Sequence, residues 1–116
     1  MSVRELSESE QVVLLALVGL LARADGMVSE AEMDALEDLR EQIEPARFDR
    51  VRAAAAALDN PDAILGAATH VMRSAATEAI YGFLLGMAIP DTIRPGEAAL
   101  LERLATMWGL ESPLEA

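Results

Sequence analysis

Residues 12–39 read VVLLALVGLLARADGMVSEAEMDALEDL, and residues 78–104 repeat their plan as EAIYGFLLGMAIPDTIRPGEAALLERL. Laying Leu14-Leu15 over Ile80-Tyr81 keeps one offset through Ala22 on Ala88 and Asp25 on Asp91. After one residue is dropped in the turn, Val28 falls on Ile93, Glu32 on Glu97, Leu36 on Leu101, Glu37 on Glu102 and Leu39 on Leu104. Each copy is thus an apolar helix, an acidic turn and an amphipathic helix. Matches of Leu and Ala are common between helical sequences, so the shared Asp, turn and Glu decide the comparison. A helical hairpin cannot bury all sides of its apolar helix alone. The two hairpins are therefore expected to pack together, with the helices between them closing the structure. This reading predicts one all-α domain over residues 1–116, a compact bundle of about six helices with a pseudo-twofold hairpin repeat. The pseudo-repeats are residues 7–43 and 75–110, and connecting helices fill residues 45–73.

Local signals place the helix ends. Ser7 and Glu10 have the capping-box spacing, in which hydroxyl and carboxylate each accept a free amide of the first turn, so the first helix starts there and runs to about Ala24. Val12, Val13, Leu14, Leu15, Leu17, Val18, Leu20 and Leu21 cover every side of it, which requires neighbours all round. Asp25-Gly26 is a turn signal, and Ser29 and Glu32 form a second capping box. The second helix, to about Ile43, is expected to bury a stripe of Met33, Leu36, Leu39, Arg40 and Ile43 and to turn Glu30, Asp34, Glu37, Asp38 and Glu41 to water. Pro45 suits the first turn of a third helix with Phe48, Val51, Ala55 and Leu58 as its apolar face. Asp59-Asn60-Pro61 ends that helix and starts a short fourth one through Ile64, Leu65, Ala68, Val71 and Met72. A fifth helix runs from about Ala75 to Ile89 and is apolar nearly all round. The last starts at Pro95 and stops at Gly109 after Trp108.

Composition narrows the function classes. The chain has 116 residues, 53% of them hydrophobic, with 20 acidic residues against 9 basic ones and a net charge of -11. This describes a folded acidic domain rather than a disordered chain, which would be poor in apolar residues. Every basic residue is Arg. The negative field disfavours nucleic acid and anionic membranes and favours cations or basic protein surfaces. Cysteine is absent and histidine occurs once, which removes thiolate catalysis and starves most His-dependent chemistry. The longest apolar run, Val12 to Ala22, is far short of the roughly 20 residues that cross a bilayer. It follows Glu5, Glu8 and Glu10, whereas a secretory signal begins basic, so membrane insertion is not expected and the chain reads as cytoplasmic.

The stretch Ala22-Arg23-Ala24-Asp25-Gly26-Met27-Val28-Ser29-Glu30-Ala31-Glu32 resembles the signature of the TerB-like family, named from tellurite resistance proteins. Residues Ala88 to Glu97, then Leu100-Leu101, Leu104-Ala105 and Gly109-Leu110, resemble a weaker second copy of it. There Thr92 stands where the first copy has Gly26, Pro90 intrudes and the turn is one residue shorter. The resemblance implies a compact all-α fold, a bacterial cytoplasmic setting and a non-enzymatic role in stress response or complex assembly. Related modules beside J-domains set a precedent for protein binding.

Three functional readings follow. In the first, the module acts through contacts with a protein partner, including a homodimer, because so small and apolar a domain leaves an exposed patch. In the second, Asp25 and Glu32 hold a divalent cation. Residues 25–32 match the last eight positions of a calcium-binding EF-hand loop, but the first and third ligand places fall on Leu21 and Arg23, so a full site lacks its roughly six to eight oxygens. As caps, Asp25 and Glu32 would instead each contribute about 1 kcal/mol. In the third and poorest, a carboxylate such as Glu78 or Glu102 does acid-base chemistry in a pocket, though Glu78 is more simply a helix-dipole partner. Of the remaining candidates, Glu30, Asp34, Glu37, Asp38 and Glu41 form an acidic run that meets either a basic partner or only water, with Arg47, Arg50 and Arg52 as its intramolecular counter-charges. His70 is expected to be partly buried and hydrogen-bonded. Met27, Met33, Met72, Met87 and Met107 line a groove or fill the core. Trp108 anchors an interface or seals the bundle.

Overall fold

The structure, a computed structural model, describes residues 2–24, 30–58, 60–88 and 95–110. Its elements are a 3-10 turn at Val3–Glu5 followed by α1 (Glu8–Ala24), α2 (Glu30–Gln42), α3 (Pro45–Ala57), α4 (Pro61–Ala68), α5 (Ser74–Ala88) and α6 (Pro95–Trp108). Among the described residues there is no strand, so the all-α bundle of six helices stands. The radius of gyration, 13.0 Å, matches the roughly 13 Å of a globule of this length.

The local signals fix the ends of these helices. At the start of α1, the Ser7 amide donates to Glu10 Oε1 at 2.7 Å and the Glu10 amide donates to Ser7 Oγ at 3.2 Å, the reciprocal bonds of a capping box. Pro45 opens α3, and Asn60 caps α4 by accepting the Ala63 amide at 2.8 Å. The Ser29–Glu32 box lies outside the described residues. At its far end α6 stops at Gly109, whose φ of +68 is costly for any residue with a Cβ. Gly109 donates to the Thr106 carbonyl and Leu110 to the Ala105 carbonyl at 2.8 Å, the paired bonds of a Schellman motif. Gly109→Ala is therefore expected to lower stability by about 1 kcal/mol, read as a shift of the urea midpoint by fluorescence of the single tryptophan.

Helix α1 is the axis of the fold. It packs against α2, α3, α4, α5 and α6, and Leu14, Leu17, Val18 and Leu21 on it are completely buried. The 3-10 turn folds back over its start, burying Val3 and Leu6, while the buried Gln11 side chain donates Nε2–H to the Val3 carbonyl at 3.0 Å. Positions registered by the repeat share burial in part: Ile80, Tyr81 and Leu84 on α5 are buried like Leu14, Leu15 and Val18, and Leu104 like Leu39. Phe83, registered with the fully buried Leu17, is only partly covered.

Four expectations are corrected by the packing. Helix α5, apolar nearly all round in sequence, is not covered all round: Glu78, Gly82 and Gly86 on it are exposed, because it packs on α1, α2 and α6 through one side only. Helix α4 ends at Ala68, so Met72 lies beyond it and is 89% exposed. The core face of α2 is Ala35 and Leu39, continued by Ile43 just past its end, whereas Met33 and Arg40 are exposed. Arg47 and Arg50 do not pair with the acidic run of α2; both reach Glu8 on α1, at 3.5 and 2.9 Å, because α3 lies along α1.

Candidate functional site

Three helices leave an open groove on one side of the bundle, with a volume of about 460 Å³. From α1 it takes Leu15, Ala16, Gly19 and Arg23, and from α3 Phe48, Arg52, Ala55 and Ala56. These follow helical spacing, so each helix turns one continuous stripe toward the groove. Each stripe runs about 12 Å along its axis, slightly over two turns. The third wall is Met33, Leu36, Glu37 and Arg40 of α2. Met33, Leu36 and Arg40 do share a stripe, as their spacing predicts, but the stripe faces this groove rather than the core.

The groove has an apolar floor and a charged rim. Leu15, Ala16 and Phe48 are buried at its base, and half-buried Leu36 and Ala55 form its sides. Arg23, Arg40 and Arg52, one from each helix, are exposed around it, with Glu37 as the single carboxylate among the described lining residues. A third of the chain's nine arginines thus line one groove on a strongly acidic protein. Arg23 is held by its own helix: its Nε–H donates to the Gly19 carbonyl at 3.2 Å, and its guanidinium folds over the space where a Cβ at Gly19 would stand, 3.3 Å away. Among the described residues the ion pairs are those of Glu8 with Arg47 and Arg50 and of Glu10 with Arg73, and none engages the three rim arginines.

The residues singled out by sequence are dispersed. Asp25 and Met27 lie outside the described residues, as do the side chains of Glu30, Glu32 and Met87. Among the described residues no cluster of three His, Asp or Glu side chains is placed to hold a metal. Asp34, Glu37, Asp38 and Glu41 are exposed on α2 as expected, and Glu78 and Glu102 are exposed on α5 and α6. His70 is exposed after the end of α4 rather than partly buried, because the chain turns away there through backbone bonds from His70 to Ala67 and from Val71 to Ala68. Met33 is 61% exposed at the groove. Trp108 is half-buried and donates its indole N–H to the Ala68 carbonyl at 3.0 Å, which ties the end of α6 to the end of α4.

The most perturbed titratable group is structural. Glu10 is buried at the start of α1, where Arg73 donates Nε–H to its Oε2 at 3.0 Å and a second N–H to its Oε1. The Arg73 hydrogen bonds, opposed by burial and helped by the Ser7 amide and hydroxyl, hold its carboxyl down at about 2. Glu8 is lowered too, chiefly by its hydrogen bond from Arg50. Among the described residues two buried polar atoms, Gln11 Oε1 and Tyr81 Oη, have no hydrogen-bond partner, and neither residue lines the groove.

The rim arginines escaped the sequence reading, which treated Arg40 as part of a core stripe. The local trace was there: a guanidinium inside an apolar stripe marks a face whose edge reaches water, since Arg buries its stem and keeps its head solvated. No protein-family profile, curated protein or solved structure matches the chain. Among the described residues no helix is long and apolar enough to cross a membrane.

Proposed function

We propose that the chain is a non-enzymatic binding module of TerB-like type, acting in a bacterial cytoplasmic stress response or assembly through contact with a protein partner. The α1–α2–α3 groove supports this reading. Six of its twelve described lining residues are exposed, so an occupant would rest on the floor and keep one face in water. Small-molecule sites typically enclose roughly 70–90% of their ligand, which this lining does not do. A row of side chains from a protein segment fits such a shape, in the manner of a helix laid in a groove. Among the described residues no acid-base pair faces the apolar floor, and the one strongly perturbed carboxylate, Glu10, lies outside the lining.

Filling the groove tests the reading. Ala55→Trp puts an indole over the floor, while Ala54→Trp puts the same ring on an exposed position of α3 outside the lining. With tagged full-length protein in its native host, the partner recovered by the parent chain and by Ala54→Trp is expected to be lost with Ala55→Trp. Equal recovery by all three would remove the groove from the function.

A further inference from the structure

We infer that the groove takes an acidic amphipathic helix: a partner segment with large apolar residues along one stripe and Asp or Glu beside them. The inference rests on the binding-module reading and adds the chemistry of the partner. Charge complementarity carries it. The chain as a whole has a net charge of -11 and so repels acidic segments over most of its surface. The lining reverses that sign locally, with Arg23, Arg40 and Arg52 against Glu37. A guanidinium is the side chain best shaped to grip a carboxylate, through two parallel N–H donors. The three are carried by different elements. They come from three helices around an apolar floor, which suits several carboxylates flanking apolar anchors better than a single anionic head group.

Length sets the form of the segment. Stripes of about 12 Å on α1 and α3 match two turns of a helix, enough for apolar anchors at successive i, i+3 or i+4 and i+7 positions. Met33, exposed on the α2 wall, gives that wall a flexible, polarizable side chain able to adapt to the anchors. A basic amphipathic helix, the partner that net charge alone would suggest, would put its cations against the three guanidiniums.

The test uses the full chain and three fluorescein-labelled synthetic helical peptides that share one Leu and Phe stripe and differ only in the flanking residues: Glu, Gln or Lys. By fluorescence anisotropy the Glu peptide is expected to bind at least about tenfold more tightly than the Lys peptide, a difference of about 1.4 kcal/mol. In the Arg40→Glu, Arg52→Glu double variant that order is expected to reverse. Both arginines are exposed, and an unchanged circular dichroism melt shows that the variant is folded. Equal binding of all three peptides, abolished by Ala55→Trp, would overturn the acidic partner and leave the groove in use. So would displacement of an apolar dye from the groove by dodecanoate but by no peptide, or a dimer of the chain alone that Arg52→Glu dissolves. Tight binding of the Glu peptide that Ala55→Trp does not weaken would instead overturn the groove as the binding surface.

Discussion

Leu17→Ala is expected to cost about 3–5 kcal/mol and to lower the melting temperature by roughly 12–20 °C. Leu17 sits at the middle of α1 with no exposed surface, on the one helix that touches all five others. Truncation removes three methyl or methine carbons from water-free surroundings and leaves a hole that six helices must close around. They have little freedom to do so, because α1 is held by packing against α2, α3, α4, α5 and α6. A domain of this size has a total stability of roughly 5–15 kcal/mol, so the variant stays folded with a small margin. Urea unfolding should show a lower midpoint with an unchanged slope, since the surface exposed on unfolding is nearly the same. The registered position on α5 gives the contrast. Phe83 is only partly covered, so Phe83→Ala, despite removing a larger side chain, is expected to cost less than Leu17→Ala. If Phe83→Ala were the more damaging, α1 would not be the axis of the core.

That contrast shows where sequence was a good guide and where it stopped. Ser7 with Glu10, Pro45, Asn60-Pro61, Pro95 and Gly109 announce helix ends because a cap or a fixed φ acts within one turn of chain. The all-round apolar surface of α1 was equally legible, since no partial burial could satisfy it. Helix α5 carries nearly the same pattern yet buries one side, and nothing local distinguishes them; the difference is which neighbours the chain brings. The run from Ala53 to Ala57 enlarges the apolar share without enlarging the core, since Ala53, Ala54, Ala56 and Ala57 are exposed and serve α3 through helix propensity. Charge partners were the least legible. Proximity in sequence suggested Arg47 and Arg50 for the acids of α2, but the α3 packing carries them to Glu8, and Glu10 finds Arg73 at a separation of 63 residues. The groove was invisible for the same reason, being made of three stripes that meet only in the folded chain.

Glu10→Gln is the second large expected effect, a loss of about 1–3 kcal/mol near neutral pH that shrinks as the solution is acidified. The sign follows from the two states. In the folded chain the Arg73 and Ser7 bonds hold the carboxyl at about 2, against 4.5 for the group without those partners. Between those values the unfolded chain binds the proton and the folded chain does not, so falling pH favours unfolding. The contribution is therefore complete above about pH 5 and is lost as the pH falls through the folded value near 2. Its size sits below what the shift alone would give, because the Arg73 side chain is 52% exposed and water weakens the pair, although the Glu10 side chain is only 9% exposed. Glutamine keeps the shape and can still accept from the Ser7 amide, so the variant removes the charge while sparing the cap. Unfolding both proteins in urea at about pH 7 and about pH 3 should show the gap between them narrowing in acid. No gap at about pH 7 would mean that Glu10 stabilises only as a cap, and a gap constant across that range would mean that the lost stability does not come from the carboxylate's charge. The pair also fixes geometry: it fastens the first turn of α1 to the residue before α5, so losing it frees both hairpins at their starts, while the α1–α2–α3 groove stands one helix face away and should keep its ligand preference.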